Sequence, residues 1–358
     1  MSDSTRSPLL TMRAWTHNVQ GIPSKVLSLS NEVPRPALKS PTQVLVRVRY
    51  AALNPGGSIM VQLCPSILRT KPCIPEMDFA GEIVQVGDDA AATHSFKPGV
   101  EVFGSIPVPE HLNGQGALSE FVSVDAANIL PAPEKVDLQE AAGLPVAGHT
   151  ALTLLDSAKL GRGQKVFING ALGGIGSMVT QMIRDAIGDE GYIVATCSGE
   201  KAALLKDIGA DMVIDHRANS PVHQFLAEKY SNNKFDAVVD AYGVQELVDN
   251  CHRFLKEGGP FVTVGIAFKE YTYCSMLFAV SRMLKNVLVP RFLGGPPRKY
   301  VQVSSLVTPE GLERLKKFCD DGKMTVPIDS CWEFEDVYKA YERMLSSRAK
   351  GKIIVKIH

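Results

Sequence analysis

Lys165 to Arg184 reads KVFINGALGGIGSMVTQMIR, and this stretch decides the fold. Val166, Phe167 and Ile168 form the short apolar run expected of a strand buried on both faces. The chain then turns through Asn169, Gly170, Ala171, Leu172, Gly173, Gly174, Ile175 and Gly176. Met178, Val179, Met182 and Ile183 follow at helical spacing. A strand, a glycine-rich turn and a helix start make the phosphate site of dinucleotide-binding folds. The glycines let backbone approach a pyrophosphate, and the free N–H groups and dipole of the helix start hold its charge. The plain alternative is an ordinary tight turn, and the residues that follow decide between the two.

Downstream, strands and helices alternate. Strands are expected at 165–169, 192–197, 211–215, 235–240, 260–265 and 286–290. Helices are expected between them, near 174–187, 200–208, 222–230, 244–256 and 275–285. Six strands with intervening helices imply an α/β fold with a doubly wound parallel sheet, so the turn is read as a cofactor site. This domain is assigned to residues 131–290. Gly265 ends the fifth strand on the side where such sheets bind ligands.

Upstream, residues 1–130 read as mostly β. Val44, Val46, Val48 and Tyr50 alternate with Leu45, Arg47 and Arg49, a half-buried strand. Short apolar runs at 83–86, 100–103 and 121–124, punctuated by Pro and Gly, suggest a small barrel-like domain. In the tail, 291–358, Thr308-Pro309 is a helix start and Lys352 to Ile357 a strand. No βαβ unit is expected there, so the tail should pack back on the first domain.

The chain of 358 residues carries 38 basic and 38 acidic side chains, so no global field points to nucleic acid or an anionic membrane. No apolar stretch is long and uncharged enough to span a bilayer. The seven cysteines are dispersed and include no CxxC pair, which suggests reduced thiols and a cytoplasmic setting.

A collinear series of segments runs through nearly the whole chain. It comprises Leu53-Asn54-Pro55, Asp78 to Val84, Lys97 to Val102, Gly116 to Phe121, Gly148 to Leu152, the Gly170–Gly176 turn, Ile208 to Asp211 and Gly351-Lys352-Ile353. In this order they resemble the medium-chain dehydrogenase/reductase superfamily, in its zinc-free quinone oxidoreductase and enoyl reductase branch. The resemblance implies a GroES-like catalytic domain split around a Rossmann-type domain, with the active site in the cleft between them. Leu172 departs from the family, which usually has Ser there, so backbone N–H groups must hold the phosphate alone.

Zinc-dependent members hold a catalytic zinc with Cys and His ligands. This chain has Asn54-Pro55-Gly56-Gly57 at the first ligand position and Glu76-Met77-Asp78 where the zinc enzymes have Gly-His-Glu. No metal is therefore expected. An NAD-type fold places Asp or Glu at the end of its second strand, and here that end is Cys197-Ser198-Gly199, with Lys201 beyond. Small residues followed by a cation suit a 2′-phosphate, so the expected cofactor is NADPH, with Cys197, Ser198 and Lys201 around that phosphate. The resemblance adds His216 and Arg217, after the third strand, at a position where family members put a Tyr or a cation against it.

Hydride addition to an isolated ketone leaves a basic alkoxide that calls for zinc or a strong acid. Addition to a quinone or enone leaves a delocalised anion that a few donors stabilise. The expected substrate is thus a small hydrophobic quinone, α,β-unsaturated ketone or enoyl group. The resemblance implies that Asn54 lies under the nicotinamide, with Ser58 in the same loop and Tyr242 at the fourth strand's end as further catalytic candidates. It adds Thr150, Gly265, Ile266 and Lys352 as cofactor contacts, with Asp78 as a structural carboxylate. Specificity is expected from residues 56–76, 104–116 and 268–293, where Tyr271, Tyr273, Met276, Phe278 and Phe292 would line an apolar pocket. Two alternatives stand beside a reductase of free acceptors. One is a stand-alone trans-acting enoyl reductase taking carrier-bound chains in a polyketide or secondary-metabolite pathway. The other is an NADPH-binding, non-catalytic protein of the crystallin-like or RNA-binding kind, which the neutral charge disfavours. The family further implies a homodimer, through an edge near Asn286 to Pro290.

Overall fold

The computed structural model describes residues 10–267 and 270–358. One sheet has six parallel strands in the spatial order Met212–Asp215, Tyr192–Cys197, Lys165–Asn169, Ala237–Asp240, Pro260–Thr263, Lys299–Gln302. The chain starts in the middle, runs to one edge, returns and runs to the other. Its reversal point lies between Lys165–Asn169 and Ala237–Asp240, the crevice in which such sheets bind ligands. The side chains of Val166, Phe167, Ile168, Val238 and Val239 are wholly buried, as expected with helices on both faces.

A second sheet runs Ile328–Glu333, Lys352–Lys356, Gln43–Leu53, Asp78–Val86, Glu101–Ser105, Ile129–Pro131, with Phe121–Asp125 paired on Gln43–Leu53. Its strands come from both ends of the chain, so the tail does return to the first domain. Trp15, whose indole N–H donates to the Phe334 carbonyl at 2.7 Å, seals that return. Val44, Val46, Val48, Phe79, Ile83, Tyr341 and Val355 fill its core.

Five of the six expected parallel strands fall within two residues of those observed at both ends. The sixth is a correction. Residues 286–288 are the last turn of a helix, Tyr273–Leu288, and the edge strand is Lys299–Gln302. A short apolar run such as Val287-Leu288-Val289 before Pro290 reads equally as strand or buried helix end. The real strand, KYVQ, is flanked by polar residues and gives little signal. The parallel sheet therefore continues past residue 290, and the tail does extend it. The segment 138–155 is likewise two helices, Leu138–Ala142 and Pro145–Ala158. The first is closed by a capping box between Asp137 and Glu140.

Candidate functional site

The glycine turn is built as the sequence suggests. Gly170 has φ +70°, a left-handed conformation that favours glycine. A Cβ on Gly176 would lie 2.1 Å from the Gly170 carbonyl oxygen, so no side chain fits there. The helix Gly174–Ile187 starts at Gly173 with no side-chain cap, which leaves its first N–H groups to a ligand. Ala171 is buried at the turn, and Leu172 goes into the core rather than toward the ligand face. Ile175 is half-buried. The entry to the turn is fixed by a buried chain of hydrogen bonds. Gly170 N–H donates to Thr196 Oγ1 at 3.0 Å, Thr196 Oγ1 to Asn169 Oδ1 at 2.8 Å, and Asn169 Nδ2 to Asp240 Oδ1 at 2.8 Å. Asp240 also accepts the N–H groups of Tyr242, Gly243 and Val244, which shapes the neighbouring loop. The residues thus fit a dinucleotide.

The second centre is Asn54. Ile353 pairs with Leu53 and Asp78 with Ala52, so strand register brings Lys352 and Asp78 to either side of it. Lys352 Nζ donates to Asn54 Oδ1 at 2.6 Å and to the Leu53 carbonyl at 3.1 Å. Asn54 Nδ2 donates to Asp78 Oδ2 at 2.9 Å, and its N–H donates to Glu76 Oε2 at 3.0 Å. The Tyr341 hydroxyl donates to Glu76 Oε1 at 2.7 Å, and Val146 N–H to Asp78 Oδ2 at 3.1 Å. All five side chains are buried. Burial pushes the Glu76 carboxyl up to about 8, against the pull of its hydrogen bonds from Tyr341 and Asn54 and of the Lys352 charge. Burial also raises Asp78 and Tyr341 and lowers Lys352, whose charge the two carboxyls hold on to.

The Lys352 stem lies along the glycine turn, since a Cβ on Gly174 would meet its Cδ at 3.0 Å. One side chain therefore joins the dinucleotide cradle to Asn54. Ser58 is fully buried, receives a hydrogen bond from Gln62 Nε2 at 2.8 Å, and bonds the Tyr271 hydroxyl from the other domain. Tyr242, half exposed, stands over the turn with its Cβ facing Gly170. Thr150 Oγ1 donates to the Val146 carbonyl at 2.7 Å, one turn from the bond to Asp78. Gly265, at φ +117°, lies two residues past the fifth strand, followed by half-buried Ile266.

The residues expected around a 2′-phosphate gather after the second and third strands. Cys197 and Ser198 are buried, His216 and Arg217 exposed. The His216 N–H donates to the Cys197 carbonyl at 3.1 Å, tying the two turns together. Lys201 is only 9% exposed, and its Nζ donates to the Arg348 carbonyl at 2.9 Å. Arg217 stands 3.8 Å from Glu200.

The aromatic pocket is a correction. Tyr273, Phe278 and Phe292 are 45%, 63% and 84% exposed, so they face outward rather than into a pocket. Apolar spacing shows that a helix has an apolar face but not what covers it. Phe268 lies outside the described residues. Of that set, Tyr271 is placed at the site by its bond to Ser58, and Met276 is half-buried. Sequence reasoning missed Glu76, Tyr341 and Asp240. The available signal for Glu76 was an ionisable residue inside an otherwise apolar strand approach, Ile74-Pro75-Glu76-Met77.

Residues 40–134 match the family of the alcohol dehydrogenase GroES-like domain, and residues 208–355 match a family described as zinc-binding dehydrogenase. The chain belongs to the medium-chain dehydrogenase/reductase superfamily. It is 34% identical to a trans-enoyl reductase, poxH, of Penicillium oxalicum, over 98% of this chain and 99% of the other. It is 28% identical to a chloroplastic NADPH-dependent alkenal/one oxidoreductase of Arabidopsis thaliana, over 96% of this chain and 79% of the other. The quinone oxidoreductase from Coxiella burnetii has the same fold, with a TM-score of 0.74 at 24% identity, covering 98% of this chain and 100% of that one. The chain is thus an oxidoreductase of this superfamily, whose fold binds a nicotinamide cofactor. Zinc does not fit the Asn54 centre, where an ammonium already supplies the positive charge between a carboxamide and two carboxyls. Among the described residues no other group of His, Cys, Asp and Glu could hold a metal ion, and no helix is long and apolar enough to cross a membrane.

Proposed function

We propose that the protein is an NADPH-dependent reductase that delivers hydride, without a metal, to a conjugated acceptor: a quinone, an α,β-unsaturated ketone or an enoyl group. The observation that carries this reading is the Lys352 bridge, which sets a buried polar centre against the dinucleotide cradle. Bound NADPH supplies the hydride. The Gly170–Gly176 turn holds the pyrophosphate on backbone N–H groups. Ser198, Lys201, His216 and Arg217 face the 2′-phosphate. Asn54, held by three bonds, forms the floor beneath the nicotinamide, with Thr150, Tyr242 and Gly265-Ile266 along its edges. Ser58 and Tyr271 close the cleft from the two domains. Such a site positions a reacting carbon in a dry cleft, and a delocalised anion asks for little more.

Full-length identity to a trans-enoyl reductase favours a second reading within the same chemistry, an enoyl chain carried on a partner. Titration with NADPH and NADH, followed by a panel of free enones, quinones and enoyl thioesters at the nicotinamide absorbance, tests both. Tight NADPH binding with turnover of free acceptors supports the first reading. Turnover restricted to long acyl thioesters supports the second. Failure to bind either nucleotide overturns both.

A further inference from the structure

The outward-facing aromatic residues of the helix Tyr273–Leu288 belong to a larger surface. Among the described residues, nine of the nineteen exposed large apolar side chains fall within residues 273–293, so the exposure is concentrated rather than scattered. On the helix, Ala279 and Asn286 are buried, while Leu277, Leu284 and Leu288 point the other way, each more than half exposed. The chain then turns at Pro290 and presents Phe292 and Leu293 on the short turn Arg291–Leu293, 84% and 66% exposed. A contiguous apolar surface of this kind marks an interaction site.

Charge is as unevenly spread as polarity. The chain balances 38 basic and 38 acidic side chains, yet residues 271–309 contain Arg282, Lys285, Arg291, Arg298 and Lys299 and no Asp or Glu. The Arg282 guanidinium lies 5.5 Å from the centre of the Phe278 ring, on the apolar face itself. Val287, Arg291, Arg298 and Lys299 share a groove of about 430 Å³, with Glu257 the acid among its lining residues. Arg298 is committed to the carbonyls of Leu255, Pro297 and His252, whereas Lys285, Arg291 and Lys299 are exposed.

A second copy of the chain would set these cations against their own kind, with no acid on the segment to answer them. A helix of another protein needs a concavity, and the apolar side chains stand on a convex helix and a projecting turn. A lipid surface asks for neither. Apolar tips enter the acyl boundary and cations meet anionic headgroups. We infer that the helix Tyr273–Leu288 and the turn Arg291–Leu293 dock the protein on an anionic membrane surface.

The inner face of the same helix backs onto the site. A Cβ on Gly265 would lie 3.6 Å from Met283 Sδ, and Tyr271, just before the helix, bonds Ser58. Docked lipid therefore lies behind one wall of the cleft, where an apolar acceptor dissolved in it is concentrated. That consequence rests on the reductase reading above; the docking itself does not.

The test is co-sedimentation of the full chain with vesicles of phosphatidylcholine alone and of phosphatidylcholine with phosphatidylserine, beside sedimentation velocity without lipid. The wild type partitions more than about tenfold better onto the anionic vesicles and loses most of that preference at high salt. Lys285→Gln with Arg291→Gln weakens the anionic partition about fivefold per charge removed. Phe292→Ser with Leu293→Ser weakens it about tenfold or more. All four positions are exposed, so each variant keeps the wild-type melting temperature and the loss is one of surface. A wild type that stays in the supernatant with anionic vesicles at low salt overturns the inference, as does binding that Phe292→Ser with Leu293→Ser leaves unchanged. So does a dimer in sedimentation velocity that Leu277→Glu dissociates, since a second copy then covers the face. Vesicle binding by a protein that turns over no acceptor supports the docking and overturns the reductase reading instead.

Discussion

The glycine turn and the Asn54 centre are joined by one side chain, Lys352, but are made in opposite ways. The turn is local: seven consecutive residues, Gly170 to Gly176, carry its geometry, and only its entry is fixed from neighbouring strands, by Thr196 and Asp240. The Asn54 centre is assembled from four separate segments, contributing Asn54, Glu76 with Asp78, Tyr341 and Lys352. The turn binds charge with neutral dipoles and works at any ordinary pH. The Asn54 centre holds formal charges in a dry core and depends on protons. Defects in the turn should therefore strike binding, and defects in the centre should strike stability and pH response.

The largest expected effect breaks the turn. Gly176→Val places a side chain into the Gly170 carbonyl, which only a backbone shift can relieve. NADPH affinity should fall about 100-fold or more, about 2.8 kcal/mol, by calorimetric titration. Overpacking should add a stability loss of about 1–3 kcal/mol. The centre is broken by Lys352→Met, which leaves the Asp78 carboxylate buried without its cation. Removing one partner from a buried charge pair costs about 3–5 kcal/mol, read as a lower urea midpoint. If Lys352→Met were as stable as wild type at neutral pH, the carboxyls would have to be protonated already and the Asp78–Lys352 charge pair would not exist.

The difference between the two regions also explains what the sequence discloses. The turn was legible because every requirement falls within twenty residues: an apolar strand, glycines at fixed positions, then helical spacing. Lys352 and Asn54 were legible through the resemblance alone, since nothing in either segment says that strand register would place them 2.6 Å apart. Glu76 was not legible as a residue of this centre. Its left-handed backbone, at φ +63°, and the space over Gly57, where a Cβ would lie 2.3 Å from both carboxyl oxygens, are three-dimensional facts. A glutamate in sequence is far more often a solvated one. The sixth strand was misplaced for a different reason. Amphipathic helix ends and edge strands share short apolar runs, and a polar edge strand such as Lys299–Gln302 hides.

The pH dependence of folding stability sharpens the comparison. The Glu76 carboxyl titrates near 4.5 when exposed and at about 8 when folded. Its contribution to stability is complete below 4.5 and is lost as pH rises toward about 8, with a slope of up to about 1.4 kcal/mol per pH unit. Asp78, also raised, acts with the same sign, whereas the depressed Lys352 acts with the opposite sign, in the window below 10.5. Urea unfolding between pH 5 and 8 should show wild-type stability declining more steeply than that of Glu76→Gln. Parallel curves would mean that Glu76 ionises in the folded protein as freely as in the unfolded one.

The smallest effect concerns the rim of the turn. Lys201 was expected to hold a 2′-phosphate, yet its ammonium already donates to the Arg348 carbonyl, in a position only 9% exposed. An ammonium has three donors, so one bond to a carbonyl leaves others for a ligand. Burial lowers its pKa, and the neighbouring charge of Lys350 lowers it further, so a dianionic phosphate would relieve the repulsion between the two ammonium groups. Lys201→Ala should therefore weaken NADPH about tenfold, close to 1.4 kcal/mol, and leave NADH within about twofold. The loss should persist at high salt, because Lys201 is buried, unlike His216 and Arg217, which are exposed on the rim. Equal weakening of both nucleotides would give Lys201 a purely structural task, holding the Arg348 segment, and would move phosphate recognition to Ser198 and Arg217.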